Sequence, residues 1–137
     1  MKKVVITGNG KGRYQQEVNI GQHQLLADEP ESLGGDDAGP SPMDFVLTGL
    51  GACTAITLRM YAERKGLDIE RISVTLKHQR SPEGRHQVHR IVVVEGNLSE
   101  EQRTRLLEIA NRCPTHLALQ QPLEVNTRLE TVSPCSN

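Results

Sequence analysis

The sequence predicts an α+β fold in which antiparallel sheets wrap around one long central helix. A long apolar segment with clear start and stop signals predicts the helix, and short strand-like segments with tight turns flank it on both sides. The chain has 137 residues, enough to bury one core but too few for two domains with a linker. We therefore expect a single domain over residues 1–137 and one functional site.

The segment before the helix predicts an antiparallel meander of three strands. Its strand-like patterns are separated by glycine-containing turns at residues 8–12 and 21–22, which are typical of hairpin connections. The predicted strands cover residues 3–7, 13–20 and 23–28. A stretch rich in glycine, proline and aspartate follows over residues 30–41, and we interpret it as a loop.

The long helix has an unusually complete set of end signals. Ser41 is a typical N-cap, Pro42 suits the first helical position, and Asp44 can complete a capping box. Gly66 follows two basic residues and marks the end. These signals predict a helix over Pro42–Lys65, roughly 36 Å long at about 1.5 Å per residue.

The predicted helix is apolar on every side, so we expect other protein to enclose it. Its uncharged run, residues 45–58, is shorter than the roughly 20 residues that a bilayer needs, and we expect no membrane span. Gly49 and Gly51 favour the close approach of another backbone. Because the rest of the chain is small, we infer a homodimer in which a second copy covers the helix, with Cys53 near the seam.

The segment after the helix predicts a hairpin, a second helix and a last strand. Residues 79–84 form a hairpin-type connection, and Ser99 with Gln102 provides a second capping box. That helix ends at Cys113 and Pro114, where a short further turn begins. The predicted strands cover residues 69–78, 88–96 and 123–131, and the short turn reaches residue 119.

Composition argues against several classes of partner. The formal net charge is -1, with 16 basic and 17 acidic residues, so no broad positive field exists for nucleic acid or anionic lipid. Aromatic residues make up 2%, which leaves few platforms for stacking bases. The apolar run at residues 4–6 is far shorter than the roughly 7–15 residues of a signal sequence. We expect a cytoplasmic protein that binds neither nucleic acid nor a membrane.

Three cysteines, Cys53, Cys113 and Cys135, are too few and too scattered for a disulfide framework. Each has a plain interpretation as a small apolar residue, and Cys135 lies in a tail that we expect to be incidental. The helical neighbours of Cys53 are apolar and would raise its pKa, so reactivity requires a cation or donor from elsewhere. The candidates are Arg13, Arg59, Arg112 and His116.

Cys113 lies where the free N–H groups of a following turn would favour a thiolate. With His116 it forms Cys-x-x-His, half of a zinc site, but no second pair completes it. A structural zinc site or a purely packing role for Cys113 and His116 stays open as an alternative to a catalytic role. The glycine-rich turn at residues 8–12 fits no nucleotide-binding pattern. We expect no metal and no cofactor.

Three motifs occur in order along the chain: residues 34–44 (GGDDAGPSPMD), residues 51–55 (GACTA) and residues 113–116 (CPTH). Together they resemble the OsmC/Ohr family of thiol peroxidases over nearly the whole chain. The resemblance implies an OsmC-like fold and an intertwined homodimer, in which antiparallel sheets wrap two long antiparallel helices. This agrees with the enclosure expected from the apolar helix.

The resemblance also implies roles for individual residues. Cys53 would attack an organic hydroperoxide, Cys113 would resolve the sulfenic acid as a disulfide, and a dithiol reductant would restore both thiols. Family peroxidases hold the thiolate with an arginine from the amino-terminal strands and a glutamate near the start of the helix. Arg13 is the only arginine before the helix, Met43 occupies the glutamate position, and Asp44 is next to it.

Two functions of different kinds follow from these observations. The first is a peroxidase with Cys53, Cys113, Arg13 and Asp44 as its site and an apolar pocket at the dimer seam for the hydroperoxide. The second is a non-catalytic stress-response protein that binds a small ligand or senses redox state, which Met43 in the glutamate position favours. For Asp44, the capping box is a sufficient structural explanation. The peroxidase hypothesis requires Cys53 and Cys113 to lie close together.

Overall fold

The computed structural model describes residues 2–132, so Cys135 lies outside the described residues. The first three strands, β1 (Val4–Gly8), β2 (Gln16–Ile20) and β3 (His23–Ala27), form an antiparallel sheet in this order, which confirms the predicted meander. In its register, Val18 at the centre of β2 lies opposite Ile6 and Leu25.

The prediction that β2 begins at Arg13 was wrong, because the strand begins at Gln16. The backbone N–H of Asn9 donates to the carbonyl of Gln15 at 3.3 Å and closes a loop between them. Residues 10–14 therefore stand outside the strand pairing, and Arg13 lies in this loop rather than in a strand.

A buried carboxylate organises the loop that leads to the long helix. Asp28 is only 2% exposed, and it accepts hydrogen bonds from the N–H groups of Glu29, Asp36 and Ala38 at 2.8, 3.1 and 3.1 Å. The bond from Ala38, opposed by burial and reinforced by those from Glu29 and Asp36, holds the pKa of Asp28 below its ordinary value. The loop therefore has a fixed path to the start of the helix.

Helix α1 covers Pro42–Lys65, as the end signals predict. Both halves of the capping box are present, because the Ser41 hydroxyl accepts from the N–H of Asp44 and the Asp44 carboxylate accepts from the N–H of Ser41. Gly66 ends the helix in the left-handed region, with φ at 63°. Local sequence alone therefore determines both ends of this helix.

Strands β4 (Ile69–Arg80) and β5 (His86–Gly96) form an antiparallel hairpin against which α1 packs. Gly51 permits this contact, since a Cβ atom there would lie 2.7 Å from Cδ1 of Leu76. Nothing lies within 4 Å of a Cβ placed at Gly49. The neighbour at Gly51 is a side chain, so among the described residues the predicted close approach of another backbone occurs at neither glycine.

The second half of the chain closes one side of α1. Helix α2 (Glu100–Ala110) begins with the predicted capping box of Ser99 and Gln102. The short helix α3 (Pro114–Leu119) follows with Cys113 as its N-cap. Both helices contact α1. The centre of the core is formed by Leu58, Leu106 and Ala110.

The predicted strand over residues 123–131 was wrong. The structure gives these residues no strand pairing, and all of them are exposed. A strand needs hydrogen-bond partners on a sheet edge. Within the part of the chain that the structure describes, neither sheet includes this segment.

The side of α1 away from the sheet is not covered by residues 2–132 of this chain. Its buried residues fall on the side facing β4, α2 and α3, whereas Val46, Ile56 and Met60 are 43%, 53% and 60% exposed. By length and composition the helix could cross a membrane, but its packed side is that of a core helix in an α+β domain. Among residues 2–132, a single chain thus covers one side of α1, whereas the sequence predicts that protein covers all sides.

Candidate active site

The structure brings Cys53 and Cys113 together where the middle of α1 meets the start of α3. Both are free thiols. Cys53 is partly exposed, whereas Cys113 is fully buried at 0% exposure. The Cys113 thiol lies close enough to Cys53 to lower the pKa of its sulfur. The proximity that the two-cysteine hypothesis requires is therefore present.

The first turn of α3 presents hydrogen-bond donors to both sulfurs. Pro114 occupies the first helical position and has no N–H group, so the next free donors belong to Thr115 and His116. The N–H of His116 donates to Sγ of Cys113 at 3.3 Å. The hydroxyl and the backbone N–H of Thr115 lie near Cys53 and favour its thiolate, which lowers the pKa of Cys53. One turn of helix thus serves two thiols.

These donors determine the acidity of Cys53. Burial raises the pKa of its thiol, but the hydrogen bonds from the hydroxyl and N–H of Thr115 oppose burial, together with those from Cys113 and Thr57. The pKa of Cys53 is lowered overall. Oγ1 of Thr57 lies 3.9 Å from the sulfur. Neutral donors therefore favour the thiolate of Cys53, the form that acts as a nucleophile.

Thr54 links Cys113 to a guanidinium group. Its side chain is fully buried, and its hydroxyl donates to the carbonyl of Leu50 at 2.7 Å. The Thr54 oxygen accepts from Nη1 of Arg90 at 3.0 Å and lies 3.8 Å from Sγ of Cys113.

Arg90 lies partly buried on β5 and has only neutral hydrogen-bond acceptors. Besides Thr54, it donates from Nη2 to Oδ1 of Asn111 at 2.8 Å. Among residues 2–132 it forms no ion pair with a carboxylate. Its charge is felt by His116, since burial and the positive charge of Arg90 lower the pKa of that imidazole. His116 is therefore neutral at pH 7.

A cavity of about 440 Å³ lies between α1, β5, α2 and α3. Its wall combines apolar residues with the polar groups around Arg90, and neither Cys53 nor Cys113 lines it. The residues that shape it include Leu50, Val88, Arg90, Leu107, Asn111 and His116. This space can hold a small molecule without contact to either sulfur.

The other two predicted site residues lie apart from Cys53 in a single chain. The guanidinium of Arg13 stands over the ring of Tyr14, 5.1 Å from its centre, and it is not among the groups that shift the pKa of Cys53. Asp44 forms the capping box with Ser41. Within one copy of the chain, neither residue takes part in the cysteine cluster.

Sequence reasoning missed Thr115, Thr54 and Arg90. The first two stand inside the quoted motifs, next to or near a cysteine, and that position is a signal that could have identified them. Arg90 is one of several basic residues on β5 and carries no such signal. Within residues 2–132, no three His, Cys, Asp or Glu side chains converge on a point that could hold a metal ion.

Comparison with known proteins gives one family and one fold. A family model described as OsmC-like protein matches residues 34–128. An OsmC-like protein of Mycoplasma pneumoniae has a TM-score of 0.74 at 21% identity, over 88% of this chain and 87% of that one. The organic hydroperoxide resistance protein OhrB of Bacillus subtilis has a TM-score of 0.60 at 20% identity, over 88% and 90%. No curated protein sequence matches the chain.

Proposed function

The chain belongs to the OsmC-like protein family, and from this premise we propose that it is a cysteine-based peroxidase that reduces organic hydroperoxides. The observation that carries the proposal is the pairing of a partly exposed Cys53, whose pKa is lowered, with a buried Cys113 close enough to contribute to that shift. The organic hydroperoxide resistance protein of Bacillus subtilis shares the fold, which supports this substrate class.

The proposed cycle begins with the Cys53 thiolate. It attacks the terminal oxygen of the hydroperoxide and the O–O bond breaks, which leaves a sulfenic acid on Cys53 and an alkoxide that takes a proton from water to become the alcohol. The sulfur of Cys113 then attacks the sulfenic sulfur, the S–O bond breaks, and the thiol proton leaves with the hydroxide as water. A dithiol reduces the resulting disulfide and is itself oxidised to a disulfide.

We also propose that the active form is a cytoplasmic homodimer. The exposed apolar side of α1, with Val46, Ile56 and Met60, is the surface that a second copy would cover. In such a dimer, Arg13 of one copy, held by Asp44, would approach Cys53 of the other. It would add a positive charge to the neutral donors already around that sulfur.

Dilution tests the dimer. We expect sedimentation at low protein concentration to give one species of twice the chain mass, because a lone chain would expose the apolar side of its longest helix. Unfolding should then depend on protein concentration, since dissociation and unfolding would be coupled. A compact, well-folded monomer at low concentration would contradict this prediction and the route by which Arg13 reaches Cys53.

Thiol counting tests the peroxidase. One equivalent of cumene hydroperoxide should remove two free thiols per chain from the reduced protein, and a dithiol should restore both. Mass spectrometry of the oxidised protein should identify a bond between Cys53 and Cys113. The peroxidase would be refuted if peroxide removed no free thiols, or if the same number of thiols were lost when Cys53 and Cys113 are both replaced.

Two observations favour a second candidate function. The cavity of about 440 Å³ contacts neither cysteine, and Met43 stands where the family peroxidases have glutamate. A protein that binds a small ligand there, with the cysteine pair as a redox sensor, would bind without turnover. Oxidation by peroxide that is stoichiometric but too slow to sustain turnover with a dithiol would favour this function over the first.

A further inference from the structure

We propose that Arg90 and Thr54 are positioning residues that act on Cys113 when the disulfide is reduced. The proposal rests on the proposed function in one respect, since it needs a disulfide between Cys53 and Cys113. The groups around the sulfur of Cys113 control the reduction of the disulfide, whereas the donors around Cys53 favour its attack on peroxide.

Exposure decides which sulfur the reductant reaches. Cys53 is partly exposed, while Cys113 has 0% exposure, so a dithiol attacks the sulfur of Cys53. The S–S bond breaks, a mixed disulfide forms between Cys53 and the reductant, and Cys113 leaves as a thiolate. The second thiol of the reductant then releases Cys53 and closes its own disulfide. The rate of the first step depends on how well the protein receives the charge on Cys113.

Two donors face the departing sulfur. The N–H of His116 lies 3.3 Å from Sγ of Cys113, and Oγ1 of Thr54 lies 3.8 Å from it. The Thr54 hydroxyl, which donates to the carbonyl of Leu50 in the reduced protein, can turn to the thiolate. Leu50 loses little by this, because its carbonyl retains the backbone hydrogen bond of the helix.

Arg90 makes this exchange favourable. It donates to the Thr54 oxygen at 3.0 Å, which polarises the hydroxyl as a donor. Its charge is not neutralised by a carboxylate within the part of the chain that the structure describes, and Asn111 holds the other arm of the guanidinium at 2.8 Å. A partly buried positive charge thus stands one hydroxyl away from the leaving thiolate.

The experiment follows the disulfide alone. The protein is oxidised with diamide, which forms the bond without peroxide, and the reduction of the disulfide by dithiothreitol is timed in a single turnover. Arg90→Met and Thr54→Val should each slow this step by roughly tenfold, and Arg90→Lys should recover part of the rate. Arg85→Met, the same substitution at an exposed position just before β5, is the matched control and should keep the wild-type rate.

The alkylation rate of Cys53 distinguishes a specific effect on Cys113 from a general effect of the substitutions on folding. The groups that lower the pKa of Cys53 include neither Arg90 nor Thr54, so the rate at which iodoacetamide alkylates Cys53 should stay within about twofold in both variants. If alkylation slows as much as reduction does, the two residues only support the fold and the proposal is overturned. Wild-type reduction rates in both variants overturn it as well.

The same design distinguishes this inference from the peroxidase itself. If peroxide fails to oxidise the protein but the diamide-formed disulfide is reduced slowly in the variants, the peroxidase is refuted while the role of Arg90 stands. If diamide forms no bond between Cys53 and Cys113, both proposals fall. Should Arg90→Met not fold, Thr54→Val removes the same link without changing the charge.

Discussion

Replacing Cys53 by serine should abolish hydroperoxide consumption, a loss on the order of a thousandfold or more. The serine hydroxyl is far less acidic than a thiol and supplies no comparable nucleophile at neutral pH. Cys113→Ser should have a different result, because Cys53 can still attack once. In that variant one equivalent of peroxide should be consumed, and the sulfenic acid on Cys53 should persist because no thiol resolves it.

The measurement is the consumption of cumene hydroperoxide with dithiothreitol as reductant, together with trapping of the sulfenic acid by dimedone. Cys135→Ser is the control, since that residue is expected to be incidental and should leave both readouts unchanged. Peroxide consumption that survives Cys53→Ser would assign the chemistry to another group. Equal loss in all three variants would point to a general effect on folding.

Local signals predicted the long helix because its ends depend on neighbouring residues only. Ser41 and Asp44 form their capping box within one turn, and Gly66 takes a left-handed conformation that needs no tertiary partner. The three-stranded meander was predictable for a similar reason, since tight turns pair each strand with the next. Elements stabilised by close sequence neighbours can be predicted from one sequence.

The strand predictions that were wrong concern segments whose structure depends on strand pairing and not on local signals. The last predicted strand, residues 123–131, has an apolar pattern but pairs with neither sheet among the described residues. β2 begins at Gln16 and not at Arg13, because residues 10–14 form a loop that the hydrogen bond between Asn9 and Gln15 closes. A periodic pattern indicates what a segment could become, but pairing decides whether it does.

The candidate site divides in the same way. Both cysteines were predicted from motifs, but most groups that lower the pKa of Cys53 were not, because apart from Thr57, one turn along α1, they come from other elements. Thr115 reaches Cys53 from a helix far along the chain, and Thr54 lies 59 residues from the Cys113 sulfur that it contacts. The sequence predicts that a distant donor must oppose the effect of burial, and among the described residues Thr115 favours the thiolate of Cys53 in this way. The approach of Arg13 from a partner copy stays a prediction.

Thr115→Val should therefore slow the alkylation of Cys53 at pH 7 by several-fold to about tenfold. The variant keeps the shape of the side chain and the backbone N–H but removes the hydroxyl that lowers the pKa of Cys53. With that pKa raised, less thiolate is present at neutral pH, and only the thiolate reacts. Well above both pKa values the two proteins should react at similar rates, and Thr115→Ser, which keeps the hydroxyl, should behave as wild type.

Arg13→Ala in the same assay tests the contribution from a partner copy. Iodoacetamide rates against pH, with Cys113 and Cys135 replaced by serine, isolate Cys53 in every variant. If Arg13 approaches Cys53 across the dimer seam, its loss should also slow alkylation at pH 7, and the double variant should show the product of the two effects. An unchanged profile for Arg13→Ala would leave Thr115 as the activating residue. Unchanged profiles for both, with an apparent pKa at or above about 8.5, the ordinary value for a free cysteine, would reject an activated thiolate and favour the ligand-binding function.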